Sequence, residues 1–278
     1  MANLRVAFVS DSHLSRTTPE AQSNWEAVLG HLDADGPDLV IHAGDLTVDG
    51  AHDERDLADA RRQLDRLPVP WRAVPGNHDI GDNPRPGQPE GDAVDDERRD
   101  RWLDVIGRDW WSARLEGWTI VAIDAQLLGS GLAAETEQRE WLEAELHAAG
   151  DGDHVLFVSH KPVTGPADEL ASAPSYRFVP EVSRPWLGDL LAAAGVPMVV
   201  SGHVHQFRLL DLAGTCHAWA PTTWAVLPED VQPTFGLKRG GILAVELGPS
   251  GAAEARLVEP AGFAQLTLLR DIPNPYAH

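Results

Sequence analysis

The chain has 278 residues, 43% of them hydrophobic and 23% charged, which is enough for one large domain with a sizeable core. Its 43 acidic and 22 basic residues give a formal net charge of −21, and such a surface repels nucleic-acid phosphates and anionic membranes. The single cysteine, Cys216, excludes an intrachain disulfide and a thiolate metal cluster.

The N-terminal segment MANLRVAFVSDSH predicts a first β-strand rather than a signal peptide. It holds a single arginine, and its apolar run stops at Ser10 and Asp11, too early and with the wrong flanks for a secretory signal. No stretch reaches the roughly 18 consecutive apolar residues of a membrane-spanning helix. We therefore expect a cytoplasmic protein that does not bind membranes.

Apolar runs typical of strands alternate with segments of helical periodicity through most of the chain. The runs predict strands at Leu4–Ser10, Leu39–His42, Trp71–Val74, Thr119–Ile123, Val155–Ser159 and Pro197–Ser201. The periodic segments predict helices at Ala21–Leu32, Glu54–Leu67, Thr136–Ala149 and Ser183–Ala194. In the last of these, Ser183 can cap the helix and Pro185 fits its first turn. The alternation favours an α/β sheet with helices on both faces.

The C-terminal part changes to short apolar runs divided by Gly and Pro, which predict antiparallel strands. These runs are Phe207–Leu212, Thr215–Ala220, Gly241–Leu247, Ala253–Val258 and Phe263–Leu269. Two irregular, proline-containing segments, 81–100 and 162–184, are predicted to be surface loops that shape a substrate site. Because no linker is visible, we expect residues 1–278 to form a single domain.

Polar side chains follow the apolar runs at the point where each predicted strand ends. The segments are Asp11-Ser12-His13, His42-Ala43-Gly44-Asp45, Gly76-Asn77-His78-Asp79, Asp124, Ser159-His160 and Gly202-His203-Val204-His205. In an open α/β sheet, ligands bind outside the carboxyl ends of the strands. We therefore expect these side chains to converge on one edge, although they are spread over most of the chain.

The types of these side chains indicate a transition-metal site. Carboxylate and amide oxygens together with imidazole suit Mn, Fe and Zn better than copper held by thiolates or calcium held by oxygens alone. Glycines directly precede Asp45, Asn77 and His203. A residue without Cβ lets the backbone turn sharply and approach a ligand closely.

Taken in order, the motifs resemble the calcineurin-like metallophosphoesterase superfamily. They are D-x-H at Asp11–His13, GD at Gly44–Asp45, GNHD at Gly76–Asp79, a lone histidine at His160 and GHxH at Gly202–His205. The resemblance covers residues 4 to 220, and the compact spacing is most similar to the bacterial class III cyclic-nucleotide phosphodiesterases and glycerophosphodiesterases. It implies the metallo-dependent phosphatase fold, a four-layer αββα sandwich of two mixed sheets.

The resemblance also implies a site for two transition-metal ions, drawn from Mn, Fe and Zn. Asp11, His13, Asp45 and His205 would hold the first ion, and Asp45, Asn77, His160 and His203 the second, so that Asp45 bridges. Two divalent cations outweigh the two aspartates and a bridging hydroxide, which leaves a locally positive site suited to phosphate. The implied reaction is in-line attack of that hydroxide on phosphorus.

Two further residues of the GNHD motif have implied catalytic roles. His78 is not a ligand and would stabilise the charged transition state and protonate the leaving oxygen. Asp79 could orient His78 by accepting an N–H bond from its ring.

The motifs favour hydrolysis of a small organic phosphodiester, such as a cyclic nucleotide or a glycerophosphodiester. They do not separate this from hydrolysis of phosphomonoesters or nucleoside polyphosphates, because that choice is assigned to the loops 81–100 and 162–184. A non-catalytic scaffold of the same fold is disfavoured, since every ligand and His78 are present. The net charge disfavours a nucleic-acid polymer as substrate, and the sequence leaves a homodimer open.

Four aromatic residues keep two interpretations each. His42 either packs at a strand end or contacts the predicted ligands without binding the metal itself. His217 belongs either to the core or to a substrate pocket. Trp219 and Trp224 are either core residues or surfaces on which a base could stack.

Overall fold

The structure is a computed structural model that describes residues 3–89, 91–149 and 152–272. Its strands are β1 Leu4–Val9, β2 Leu39–His42, β3 Trp71–Ala73, β4 Trp111–Leu115, β5 Trp118–Ile123, β6 His154–Ser159, β7 Met198–Ser201, β8 Arg208–Leu212, β9 Thr215–Trp219, β10 Ala225–Val226, β11 Ile242–Leu247, β12 Ala253–Val258 and β13 Leu266–Thr267. Its α-helices are α1 Pro19–Asp35, α2 Glu54–Leu64, α3 Asn77–Ile80, α4 Asp96–Val105, α5 Ala133–Ala149, α6 Ala167–Ser172 and α7 Arg184–Ala193. Short 3₁₀ helices cover Ala125–Leu127 and Ser175–Arg177.

The strands form two large mixed sheets. The first has the order β12-β11-β1-β2-β3, and the second has the order β4-β5-β6-β7-β9-β8. In the first sheet β1, β2 and β3 are parallel, while β11 runs antiparallel to both β1 and β12. In the second sheet β5, β6, β7 and β9 are parallel, and the edge strands β4 and β8 are antiparallel to their neighbours.

The central strands are buried on both faces, and β1 shows how. Leu4, Val6 and Phe8 belong to the cluster between the two sheets, whereas Ala7 and Val9 belong to the cluster under the helices. Successive side chains of a strand point to opposite faces, so a strand between two packed layers must be apolar at almost every position. The continuous apolar runs of the sequence follow from this arrangement.

Three apolar clusters define four layers. The inter-sheet cluster joins residues such as Phe8 and Ile41 of the first sheet to Ile120 and Val158 of the second. Helices α1, α2 and α4 pack on the outer face of the first sheet, and α5 and α7 pack on the outer face of the second. The predicted α/β fold, a four-layer αββα sandwich of two mixed sheets, is confirmed.

Some local predictions needed correction. The strand predicted at Phe263–Leu269 shortens to β13, which pairs in parallel with β10. The strand β9 is antiparallel to β8, as expected, but it also extends the parallel part of the sheet beside β7. Ser183 occupies the N-cap position of α7 without a side-chain hydrogen bond. Among the described residues, no helix has both the length and the apolar composition needed to cross a bilayer.

The register of the parallel strands brings their carboxyl ends level. In the first sheet Val9 pairs with His42 and His42 with Ala73; in the second, Ile123 pairs with Ser159 and Ser159 with Ser201. The polar segments follow directly after these residues. Both sheets therefore deliver their strand-end loops to one edge of the sandwich.

Candidate metal centre

All seven ligands predicted from the sequence meet at this edge. Asp11, His13 and His205 form one group, and Asp45, His160 and His203 form another; within each group the ligand atoms lie within 4.8 Å of one another. Asn77 lines the same cavity as Asp45, His203 and His205. The buried histidines His13, His160 and His205 come from loops that follow three different strands, β1, β6 and β7.

Backbone carbonyls set which ring nitrogen each histidine presents. Nδ1 of His13, His160 and His205 lies 3.1, 2.7 and 2.7 Å from the carbonyl oxygens of Thr47, Ala43 and Ala225. In His203 the bonded nitrogen is Nε2, 3.1 Å from the carbonyl oxygen of Tyr176. Because a carbonyl only accepts, these nitrogens donate and the opposite nitrogen carries the lone pair. His13, His160 and His205 thus present Nε2 to the site, and His203 presents Nδ1.

In the first group, Nε2 of His13 and Nε2 of His205 are only 3.2 Å apart. Asp11 Oδ1 lies 3.4 Å from the same nitrogen of His205. Two imidazole lone pairs and a carboxylate oxygen repel one another at such distances unless a positive centre lies among them. The arrangement fits a cation bound by imidazole and carboxylate.

The Asp45 carboxylate lies between the two groups. Its Oδ2 is 3.3 Å from His160 Nε2 and 3.9 Å from His13 Nε2, which belong to different groups. Its Oδ1 accepts a hydrogen bond of 2.9 Å from the backbone N–H of His78. One oxygen is therefore held by the backbone and the other faces ligands of both groups.

Two buried donor atoms at the second group lack an ordinary hydrogen bond among the described residues. Asn77 Oδ1 has no partner, and His160 Nε2 has only the Asp45 carboxylate, 3.3 Å away. A buried polar atom without a partner is unfavourable, and such atoms are rare in folded proteins. Both are electron-pair donors beside Asp45, so the donor set fits a metal ion in the second group as well.

The ligand turns are strained, because most ligands have a left-handed backbone. Asp11, His13, Asp45, His203 and His205 have φ of 51°, 43°, 55°, 69° and 53°. Non-glycine residues adopt this region at a cost of about 1–2 kcal/mol each, and it persists where the surroundings determine it. The turns are supported by bonds such as Thr222 Oγ1 to the Asp11 carbonyl, 2.8 Å.

Glycines of the motifs make room for ligands of other loops. A Cβ on Gly44 would overlap the His160 ring, and one on Gly76 would overlap the Asp45 carboxylate. A Cβ on Gly202 would lie 2.9 Å from Oδ2 of Asp11. These glycines are required chiefly for close approach between loops.

Burial and neighbouring charges decide the protonation of the ligands. Burial lowers the pKa of His13 and His203 well below the ordinary value, which gives the neutral imidazole that a metal ligand needs. Burial opposes a charge on His160, but Asp45 and Asp11 outweigh it and raise its pKa to about 9. Burial also opposes the charge of Asp45, yet the surrounding imidazoles lower its pKa well below the usual range. An ionised Asp45 attracts a cation, which competes with the proton on His160.

The profile of calcineurin-like phosphoesterases matches residues 4–207, a span that contains all seven predicted ligands. The chain belongs to the calcineurin-like phosphoesterase family. The resemblance seen in the motifs is confirmed, and the protein is a metal-dependent hydrolase of phosphoric esters.

Known proteins agree with this membership. A probable glycerophosphodiester phosphodiesterase of Arcobacter nitrofigilis is 29% identical over 172 residues, 61% of this chain and 57% of its own length. A probable cyclic nucleotide phosphodiesterase of Synechococcus is 26% identical over 269 residues, 91% of each chain. A dimetal phosphatase from Danio rerio superposes with a TM-score of 0.61 at 15% identity, covering 93% of this chain and 98% of that one, and shows the shared fold. The chain thus spans little more than half of the first relative and most of the second.

Within this phosphoesterase site, His78 lies beside the ligands and lines the cavity. Its Nδ1 is 2.9 Å from the Val48 carbonyl oxygen, and its ring centroid is 4.9 Å from that of His13. The prediction that Asp79 orients this ring needs correction. The Asp79 carboxylate instead accepts hydrogen bonds from the backbone N–H groups of Leu46, Thr47 and Gly76 and from Thr47 Oγ1. Asp79 therefore ties the turn that carries Asp45 to the turn that carries Asn77.

The structure decides between the two interpretations of each of the four aromatic residues. His42 Nε2 lies 2.8 Å from Ser12 Oγ, and that hydroxyl also donates to the Leu46 carbonyl, so His42 supports two ligand loops from behind. Trp224 is fully buried with its ring 5.0 Å from that of His13 and forms the floor of the first group. Trp219 is a core residue that packs with Phe178 and Val204 and cannot stack on a base. His217 is buried in β9 and does not line the metal cavity.

Several residues of the cavity were not singled out in the sequence. Both predicted loops reach it, Asp82 and Arg85 from 81–100, and Tyr176 and Arg177 from 162–184. The segment 227–232 forms a third wall that sequence reasoning missed. The group that orients His203 is the backbone carbonyl of Tyr176, and a backbone contact of this kind cannot be predicted from the residue type.

Proposed function

We propose that the protein hydrolyses a small organic phosphodiester of the cyclic nucleotide or glycerophosphodiester type, using two transition-metal ions. The observation that carries this proposal is the pair of ligand groups on either side of Asp45, with His78 at the wall of their shared cavity. The names of the relatives from Arcobacter and Synechococcus support a diester substrate.

The ligand residues would divide as their contacts suggest. Asp11, His13 and His205 would hold one ion, Asn77, His160 and His203 the other, and Asp45 both. When bound, two such ions supply Lewis acidity and lower the pKa of a water molecule that they share. The nitrogen and oxygen donors suit Mn, Fe or Zn.

The protein itself contributes orientation and proton transfer. The Val48 carbonyl holds the Nδ1–H of His78, so we assign proton transfer to Nε2, toward the leaving oxygen. The backbone N–H of His78 bonds to Asp45, which ties the position of this ring to that of the shared ligand. Asp79 contributes by fixing the two ligand turns rather than by touching His78.

We assign substrate choice to the loops 81–100 and 162–184, which contribute Asp82, Arg85, Tyr176 and Arg177 to the cavity wall. Residue 90 of the first loop lies outside the described residues. Shortening either loop should change the preference between diesters and monoesters more than it changes metal content. An unchanged preference would refute this assignment.

The wider setting remains a prediction from the sequence. We propose a single domain over residues 1–278, a cytoplasmic location and a small phosphate ester rather than a nucleic-acid polymer as substrate. The charge of −21 supports the last point. A homodimer stays open to measurement.

The deciding experiment compares bis-p-nitrophenyl phosphate with p-nitrophenyl phosphate after reconstitution with Mn, Fe or Zn. We expect a higher kcat/KM for the diester. A clear preference for the monoester would make the protein a phosphomonoesterase of the same family. Two bound ions per chain without activity on either compound would favour a scaffold, and no bound metal would refute the proposed site.

A further inference from the structure

Arg177 places a buried positive charge at the edge of the metal cavity. The residue is 2% exposed, its Nε and Nη1 are buried without a hydrogen-bond partner, and its guanidinium carbon lies 5.3 Å from the centre of the Phe235 ring. Burial lowers the pKa of Arg177, and the neighbour that opposes this is the Tyr176 side chain rather than a carboxylate. A buried cation without a carboxylate partner is unfavourable, and an anion in the cavity would offset that cost.

Arg85 brings a second positive charge to the same cavity. Its guanidinium lies 5.2 Å from the centre of the Tyr176 ring and pairs with the Asp82 carboxylate. The other oxygen of Asp82 pairs with the ammonium group of Lys161, which is fully buried. One carboxylate is thus shared by two basic side chains, so Asp82 does not serve Arg85 alone.

Both arginines are positioned relative to the second ligand group. The Tyr176 carbonyl bonds to His203, so the backbone that carries Arg177 is attached directly to a metal ligand. Arg85 and Arg177 line a cavity of about 210 Å³ together with Asn77 and Asp45. Ligand sites commonly occupy about 300–1,000 Å³, so this cavity suits a charged head group with the remainder of the ligand outside.

We propose that Arg177 and Arg85 form an anion subsite for a second negatively charged group on the substrate. The favoured substrate would then be a phosphodiester whose alcohol portion carries a carboxylate or a phosphate. This inference rests on the proposed phosphodiesterase function. The reacting phosphoryl group belongs beside Asn77 and His78, which leaves the arginines for another anion.

The test uses two synthetic diesters that differ only in charge, p-nitrophenyl 4-carboxyphenyl phosphate and its 4-carbamoylphenyl counterpart. In the metal-reconstituted protein we expect kcat/KM to be about 10- to 100-fold higher for the carboxylate, the effect of one charge-assisted hydrogen bond. Arg177→Met should remove this preference, because it should lower kcat/KM for the carboxylate compound far more than for the carbamoyl compound. Arg177→Lys should restore part of it. Equal losses on both compounds would place Arg177 on the reacting phosphoryl group and overturn the subsite.

A binding measurement separates this inference from the proposed reaction. The probes are (4-carboxyphenyl)methyl(methyl)phosphinate and its carboxamide, which contain no ester bond. We expect the carboxylate to raise the Tm of the metal-loaded protein more than the amide does, and Arg177→Met to remove the difference. A preserved difference in that variant would overturn the subsite, whether or not the protein hydrolyses diesters.

The control is Arg208→Met in β8, because both terminal nitrogens of Arg208 bond to Glu169, at 2.7 and 2.9 Å, and Glu169 lies in the segment 162–184 that also carries Arg177. The Arg208→Met variant should keep the preference for the carboxylate compound. If that preference were lost in this variant as well, it would reflect the general charge of the region, and the subsite would be refuted.

A third diester with a 4-phosphonophenyl group identifies which anion the subsite prefers. A preference for it above the carboxylate assigns a phosphate-bearing substrate, and the reverse assigns a carboxylate; equal rates for both anions and the amide would refute the proposal.

Discussion

Asp45 is the residue on which both ligand groups depend. One oxygen of its carboxylate faces His160 and His13, and the other is held by the His78 N–H. We expect Asp45→Ala to reduce bound metal from about two ions per chain to nearly none. His13→Ala removes a ligand of one group and should lose mainly one ion. Metal analysis of both reconstituted variants tests this, and an equal or greater loss in His13→Ala would show that Asp45 does not bridge.

The side chain of His78 can be separated from metal binding. Its contact with Asp45 runs through the backbone N–H, which His78→Ala retains. Removal of a general acid costs about 10²–10⁴ in rate, so this variant should lose most diesterase activity with both metals in place. The loss should be smaller with p-nitrophenolate as leaving group than with an alkoxide, because the former barely needs a proton. Equal losses would restrict His78 to charge stabilisation, and loss of metal would make it a ligand.

At the scale of elements, the turns after β2 and β3 fit together only because Gly76 has no side chain. A Cβ there would lie 2.7 Å from Cγ of Asp45, although the backbone of Gly76, at φ −107°, suits any residue. Gly76→Ala should therefore displace Asp45, lower metal content and reduce the free energy of unfolding by about 1–3 kcal/mol.

The matched control for this prediction is Gly188→Ala in α7, where nothing lies within 4 Å of the added Cβ. Alanine in a helix should raise the free energy of unfolding by up to about 1 kcal/mol, with metal content unchanged. Urea unfolding and metal analysis of both variants give the comparison. Full metal content in Gly76→Ala would mean that the two turns are less tightly coupled than their contact suggests.

At the scale of the whole molecule, His217 links acid stability to the packing of β9. Burial lowers its pKa from 6.5 to about 4, while Asp211 acts weakly in the opposite direction. Between these pH values the unfolded chain binds a proton that the folded protein does not. The free energy of unfolding therefore falls as the pH drops through this window, by about 3 kcal/mol for this group alone.

The variant His217→Phe lacks this titration. Its free energy of unfolding should therefore fall less than that of the wild type between pH 6.5 and 4, the window set by the shift at His217. Urea unfolding at several pH values measures the difference between the two proteins. Parallel pH profiles would show that His217 is protonated in the folded protein, and its assignment as a neutral core residue would be wrong.

The sequence alone determined the fold class and predicted the seven residues that meet at the edge of the sandwich. Strands buried on both faces must be apolar throughout, so they stand out as continuous runs, and ligands placed directly after them mark the edge where the site forms. The boundaries of the four predicted helices were close, because amphipathic periodicity is a local property. The helices α4 and α6 were missed, since they begin inside the segments 81–100 and 162–184 that were predicted to be loops. The glycines before Asp45, Asn77 and His203 could also be identified in the sequence. The sequence did not show which neighbouring loop packs against each of them.

The tertiary structure decided the features that depend on contacts between distant loops. Asp79 lies next to His78 in sequence, yet its carboxylate bonds to backbone groups 32 and 33 residues away. The parallel pairing of β13 with β10 and the burial of Arg177 at the edge of the cavity likewise depend on which segments meet. Such contacts leave no periodic pattern in the sequence, because the two groups in contact can lie at any separation along the chain. The residues of the proposed metal centre could be named from the sequence, whereas the groups that orient them and line the cavity became known only when the loops were brought together.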